Sequence, residues 1–214
     1  MALLKATDLL ASSIGRRDDK PNQELAEAII ENKQYDWVKE LIGNLNHKDK
    51  NIQSDSIKVL YEIGERGAAN MISPYCFEFG EVLTSKNNRM VWGAMTALDM
   101  IASVYPKGVR DLLPTIVRAI DKGSVITIDH GVGILAKLAS IEQYADSAFP
   151  LLIEQLKRCP IKQLPTYIEK SEMAINEHNH NLFINLIHSR LPEVDNDSQK
   201  TKLNKALNRL RRFM

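Results

Sequence analysis

The sequence repeats itself three times at a spacing of 37 to 38 residues. The copies align on Leu60, Leu98 and Leu135, and a proline follows each leucine 14 to 16 residues later, at Pro74, Pro114 and Pro150. Small residues recur four positions before and four positions after these leucines: Ser56, Ala94, Gly131, Gly64, Ala102 and Ala139. Repeats of this length with paired helices form stacks, in which no repeat buries its apolar face alone.

Apolar residues follow a helical spacing in every segment long enough to judge, and no segment alternates strictly over the length of a strand. The clearest repeat predicts a first helix over about 87–104 and a second over about 109–122. The stretch 105–108 separates them, because Pro106 disfavours helical geometry in the residue before it and Gly108 permits left-handed turns. The next repeat has a first helix predicted over 126–139. The sequence therefore predicts an all-α fold.

The pattern weakens toward both ends of the chain. Shorter apolar stripes over 21–49 and 160–191 predict a leading and a closing helix pair, which makes about five pairs, and terminal repeats are expected to be atypical. The first residues predict an amphipathic helix, with apolar positions Leu3, Leu4, Leu9, Leu10 and Ile14. We therefore expect a capping helix and linker over 1–20, a repeat array over 21–192 and a basic C-terminal helix over 193–214.

Two motifs recur within the repeats. The first helix reads Ala97-Leu98-x-x-Ile101-Ala102 and then Ile134-Leu135-x-x-Leu138-Ala139. The second helix reads Leu112-Leu113-Pro114-Thr115-Ile116-Val117 and then Phe149-Pro150-Leu151-Leu152-Ile153. These motifs resemble those of the HEAT/armadillo-like α-solenoid family, well over 50–158 and loosely over 21–49 and 160–191. The resemblance implies a right-handed superhelix of antiparallel helix pairs whose second helices line a concave binding surface. Most proteins like this are scaffolds or adaptors that hold proteins or nucleic acids.

The charge is unevenly distributed. Residues 200–214 carry six basic residues and no acidic one, whereas the preceding 199 carry 22 basic against 27 acidic residues, a net charge of −5. This distribution does not suit a protein that binds a groove of duplex DNA, because such proteins contact DNA through a basic face. The longest stretch without Asp, Glu, Lys or Arg has twelve residues, too few for a membrane span. With no plausible signal-peptide core at the N-terminus, we expect a cytoplasmic protein.

Motifs of catalysis are missing from the sequence. It contains no glycine-rich phosphate loop, no Gly-x-Ser-x-Gly elbow and no Cys-x-x-Cys pair. His178, His180 and His188 come nearest to a metal site, but the first two, two residues apart, would point to different sides of a helix. We therefore predict no enzyme, no metal and no cofactor. Cys76 and Cys159 fall two repeats apart, so we expect buried thiols and no disulfide.

The HEAT-like alkylpurine DNA glycosylases are an alternative family of similar length. They use tryptophans and an aspartate on the concave face. This chain has Trp92 and Trp37, the latter preceded by Asp36, and does not reproduce that motif. A nucleic-acid-binding relative of these enzymes is thus the second hypothesis, and a regulatory subunit of an enzyme complex is the third.

Positions one and five after the repeat proline are expected to face away from the core, which places Tyr75 and Phe79 on the surface. The alternative is that these aromatic residues pack on the leading helix pair. Arg118, Lys122 and Arg158 are expected on the same face, interleaved with acidic residues, and mixed charge favours a protein or peptide over a polyphosphate. We therefore predict a non-enzymatic scaffold that binds a protein or peptide on its concave helices through these five residues.

The predicted C-terminal helix has an apolar stripe formed by Leu203, Ala206, Leu207, Leu210 and Phe213. Basic side chains flank it, among them Lys205, Arg209 and Arg212. The stripe suits a capping helix that closes the last repeat. Docking onto a partner or an anionic surface is the alternative.

Overall fold

The computed structural model of the chain describes residues 4–210, and these contain helices and turns but no β-strand. The α-helices are α1 (Lys20–Glu31), α2 (Tyr35–Gly43), α3 (Lys50–Ile63), α4 (Ala69–Ile72), α5 (Cys76–Val82), α6 (Asn88–Ile101), α7 (Pro106–Asp111), α8 (Leu113–Lys122), α9 (Val125–Ala139), α10 (Glu142–Arg158), α11 (Leu164–Ser171), α12 (His180–Arg190) and α13 (Asp197–Leu210). The all-α prediction is confirmed. None of the helices within 4–210 combines the length and the apolar composition that a membrane crossing requires.

The helices form two compact units, of which the first ends at Gly131 and the second begins at Val132. The core of the first unit lies around α3, which packs against α1 on one side and against α6 on the other. All three leucines that align the repeats are fully buried. Burying a leucine side chain stabilises a fold by about 1.5–3 kcal/mol, so this one repeated position contributes substantially to the core.

Small residues allow the neighbouring helices to approach closely. Gly64 follows α3, and a Cβ atom added to it would lie 2.9 Å from Cβ of Met100 on α6. A Cβ atom added to Gly131 would lie 2.4 Å from Cγ1 of Ile120 on α8. Ala94 on α6 and Ala102, which directly follows this helix, have no exposed surface. Gly64 and Gly131 therefore lie where neighbouring helices approach closely.

The turns before the first helices of the repeats carry a helix cap that also recurs with the repeat. The side chain of Asp49 accepts from the backbone N–H of Asn51 at 2.8 Å, and that of Asn87 accepts from Arg89 N–H at 3.0 Å. Ser124 stands at the third equivalent position, and its Oγ accepts from Thr127 N–H at 3.4 Å. Such caps satisfy backbone donors that have no partner within the helix and fix where each helix begins.

The second helix of the clearest repeat is broken, which the sequence did not predict. In place of one helix over 109–122, α7 and α8 meet at Leu112. Pro114 occupies the first turn of α8, where its missing N–H costs little. Pro150 instead lies inside α10, so the repeat proline does not mark the same point of every second helix.

The prediction of an amphipathic helix at the N-terminus is wrong. The described residues there form only a short 3-10 turn, Ala6–Leu9, and Leu4 and Ile14 are exposed. The Glu40 carboxylate accepts from the backbone N–H groups of Ala6 and Thr7 at 3.1 and 3.0 Å. Since side chains of the first unit satisfy these donors, the segment lies against α2 without needing helical hydrogen bonds. Leu3 lies outside the described residues.

In the second unit, α13 packs against α11 and α12. Leu203, Ala206, Leu207 and Leu210 are buried there. The apolar stripe of this helix is therefore core within its own unit, while Arg211, Arg212 and Phe213 lie outside the described residues. The side chain of Arg190 caps the C-terminal end of α10. Its Nη1 donates to the backbone oxygens of Leu156, Lys157 and Cys159 at 2.9, 2.9 and 3.0 Å.

We predict that Ala102→Leu lowers the free energy of unfolding by about 1–3 kcal/mol, because the larger side chain overpacks a position with no exposed surface. Urea denaturation followed by circular dichroism measures this. Ser103→Leu is the matched control, since Ser103 is the exposed neighbour and its substitution should change stability little. Equal stabilities of the two variants would contradict the repeat alignment.

Candidate partner-binding grooves

Phe79, predicted to lie on the binding surface, is instead a core residue. Its side chain has no exposed surface and shares the inner side of α5 with Cys76 and Gly80. The surface prediction for Phe79 is therefore wrong. Its cause is that the fifth position after the repeat proline faces the core in every copy, since Ala119 and Gln155 are buried as well.

Phe77 is the aromatic residue that α5 exposes, at 48% of its surface. Tyr75, just before the helix, is half-buried. A count started at Cys76 would have found this arrangement, since positions i, i+3 and i+4 of a helix share a face and Cys76, Phe79 and Gly80 have that spacing.

Arg118 and Lys122 are exposed on α8 and line one groove together with Lys86. We call it the basic groove. It has a volume of about 520 Å³ and lies between the segment 83–91 and the segment 115–123. Apolar side chains of Leu83, Val91 and Ala119 also line it, and no carboxylate does. Arg118 and Lys122 thus line the same groove, and the sequence analysis did not include Lys86.

Local hydrogen bonds hold the walls of the basic groove. Nη2 of Arg118 donates to Oγ1 of Thr115 at 2.9 Å, one turn earlier on α8. In the opposite wall, the backbone N–H of Asn87 donates to Oγ of Ser85 at 3.1 Å, and Asn87 in turn caps α6. Lys86 stands between these two residues, in a turn whose backbone is fixed on both sides.

A second groove of the same unit has the opposite charge. This acidic groove has a volume of about 460 Å³ and is lined by Glu78 and Glu81 of α5, with Ile42, Leu45 and Met90 among its apolar residues. Thr84 and Ser85 line both grooves. The two sites are therefore neighbours that share one wall.

The remaining predicted binding residues lie elsewhere. Tyr75 lines neither groove. Arg158 belongs to the second unit, where it is exposed at the end of α10 and its Nε donates to Oε1 of Gln155 at 3.3 Å. Of the five predicted residues, the structure brings only Arg118 and Lys122 into one site.

A network of charged and aromatic side chains on the first helices of the repeats was missed by the sequence reasoning. Nζ of Lys58 lies 2.5 Å from a carboxylate oxygen of Glu62, which also pairs with Arg66. Lys58 stands 4.8 Å above the ring of Tyr61, and that ring contacts Trp92 with centroids 5.5 Å apart. The i, i+4 spacing of Lys58, Glu62 and Arg66 was the available signal. Trp92 is half-buried and packs against the ring of Tyr61.

Two histidines of the second unit differ in their exposure to solvent. His178 is exposed, whereas His180 is buried and its Nδ1 lies 2.9 Å from the backbone oxygen of Glu177. Within residues 4–210, no three His, Cys, Asp or Glu side chains come close enough together to hold a metal ion.

Both cysteines are buried free thiols. Burial raises the pKa of the Cys76 thiol to about 12, and the nearby carboxylates of Glu78 and Asp111 add to the shift. Burial also raises the pKa of Cys159, against the opposing effect of Arg190. Because the thiolate is the nucleophile, neither side chain is poised for covalent chemistry.

No protein-family model and no curated protein sequence matches this chain. Solved structures do match it. An engineered protein superimposes with a TM-score of 0.68 and 17% identity over 97% of this chain and 96% of its own. Computationally designed armadillo repeat proteins for modular peptide recognition superimpose with a TM-score of 0.65 and 15% identity, over 86% of this chain and 85% of theirs.

A natural protein also shares the fold. In its complex with Pho4p, Kap121p matches 97% of this chain over 23% of its own length, with a TM-score of 0.63 and 15% identity. The chain has an armadillo/HEAT-like repeat fold. At these identities the likeness establishes the fold alone.

The raised thiol pKa values predict slow reaction of both cysteines with a thiol reagent at pH 8, and fast reaction in urea.

The raised pKa of Cys76 also predicts how the stability of the protein changes at high pH. Its thiol ionises near pH 9 when exposed and near pH 12 when folded, so stability is lost as pH rises across that interval. The wild type should therefore lose more stability across it than Cys76→Ala does, as measured by urea denaturation. Rapid labelling of the folded protein would contradict the burial.

Proposed function

We propose that this chain is a non-enzymatic repeat scaffold that binds an acidic segment of a partner protein in its basic groove. The supporting observation is that Lys86, Arg118 and Lys122 surround an apolar lining without a carboxylate among them. Acidic side chains of the segment would pair with the three cations. An apolar side chain between them would cover Leu83, Val91 and Ala119, as interfaces combine a buried apolar centre with a polar rim.

The position of the groove is consistent with the family to which the repeats are similar. Its long wall is α8, the second helix of its repeat, and second helices carry the binding surface that the resemblance implies. The solved structures with this fold include proteins designed for peptide recognition and Kap121p in complex with Pho4p. These neighbours support the proposal of a binding scaffold.

Nucleic acid is the alternative partner, and the surroundings of the groove argue against it. A phosphodiester backbone carries charge at every nucleotide and needs a basic track. The acidic groove, with Glu78 and Glu81, adjoins the basic groove along the wall of Thr84 and Ser85. A strand leaving the basic groove on that side would meet carboxylates.

The double substitution Arg118→Glu and Lys122→Glu should weaken binding of a short fluorescent peptide of alternating glutamate and leucine by roughly ten-fold or more, because attraction becomes repulsion. Fluorescence anisotropy at low and physiological salt measures this. Lys107→Glu is the matched control, since Lys107 is exposed on α7 and lines neither groove.

Two results would overturn the proposal. The first is unchanged affinity for the acidic peptide in the double variant. The second is tighter binding of a single-stranded oligonucleotide than of the peptide by the parent protein, with a steep salt dependence.

A further inference from the structure

The two grooves of the first unit present opposite charges side by side. Lys86, Arg118 and Lys122 line one of them, and Glu78 and Glu81 line the other. Because Thr84 and Ser85 line both, a bound chain can pass from one groove into the other over a single wall. A ligand that fits both grooves must therefore change the sign of its charge within a few residues.

The basic groove has more charge than a single carboxylate would neutralise. Within residues 4–210, none of Lys86, Arg118 and Lys122 takes part in an ion pair. Arg118 and Lys122 are four residues apart on α8 and so lie on one face of the helix. A phosphate monoester carries a charge of about −1.5 to −2 and three acceptor oxygens, so it can engage several cationic donors at once.

The acidic groove suits a cationic side chain. Neither Glu78 nor Glu81 is in an ion pair within the described part of the chain. The apolar residues Ile42, Leu45 and Met90 line the same groove. Lysine and arginine combine an apolar stem with a charged head, so the stem can cover the apolar lining while the head pairs with a carboxylate.

We infer that the two grooves together bind a partner segment that carries a phosphorylated serine or threonine close to a lysine or arginine. This inference rests on the proposed function and specifies its ligand. The phosphate occupies the basic groove, and the cationic side chain occupies the acidic groove across the wall of Thr84 and Ser85. A nucleic-acid strand would supply negative charge to both grooves, so its charge is complementary to the basic groove alone.

The test is a set of synthetic peptides built on one neutral, mildly apolar sequence. Phosphoserine is fixed at the centre, and arginine is placed at successive positions on either side of it. The comparison peptides replace phosphoserine by serine or glutamate, or replace arginine by glutamate. Fluorescence anisotropy with the full chain should show that the best phosphoserine–arginine peptide binds roughly ten-fold or more tightly than each comparison peptide.

Matched variants assign each charge to its groove. Arg118→Gln should remove the preference for phosphoserine over serine and leave the preference for arginine over glutamate. Glu81→Gln should remove the preference for arginine over glutamate and leave the preference for phosphoserine over serine. Lys107→Gln should change neither preference. Thermal melts establish that the variants are folded, and Lys86→Gln replaces Arg118→Gln if the latter is not.

The outcomes separate this inference from the proposed function. If the glutamate–leucine peptide binds and phosphate gives no gain, the inference fails while the proposed function stands. If no peptide binds, both fail. Equal affinity for inorganic phosphate and for the best peptide would show that the groove takes a free anion, and tighter binding of an oligonucleotide would show a nucleic-acid site. Either result overturns the inference.

Discussion

The close approach of helices from successive repeats is the constraint on which the rest of the structure depends. No single repeat can bury its apolar face, so α3 must pack against both α1 and α6. Gly64 permits this packing, because a side chain there would meet Met100 of α6. The turns between repeats are thereby brought to defined positions, and the walls of both grooves are built from such turns and the helices beside them.

The recurring helix caps connect this packing to the wall of the basic groove. Asn87 caps α6 through its own side chain, and the neighbouring Lys86 is exposed. A repeat protein can therefore vary the residue beside the cap without disturbing the start of the helix. Lys86 occupies such a position, which gives a physical reason why the turn can carry binding chemistry.

The sequence predicted the repeat helices because their apolar spacing persists over whole helices. Leu60 and Leu98, on which the copies align, are both buried. The prediction failed at Phe79, because the fifth position after the repeat proline is a buried position, and at the N-terminal segment, where Glu40 satisfies the backbone. The basic groove was predicted only in part, since Lys86 reaches Arg118 and Lys122 through tertiary packing and not through any spacing along the chain.

Two groups of charges in the first unit have different surroundings, which the net charge of +1 of the whole chain does not reveal. Lys58 and Glu62 are buried and paired with each other, so removing one of them would take away a buried ion-pair partner of the other. Lys86, Arg118 and Lys122 stay exposed at a groove without carboxylates. Replacing these cations costs the fold little, because exposed charges contribute little to stability. Their juxtaposition is therefore open to a role in binding, which is the role that we propose for them with a negatively charged partner.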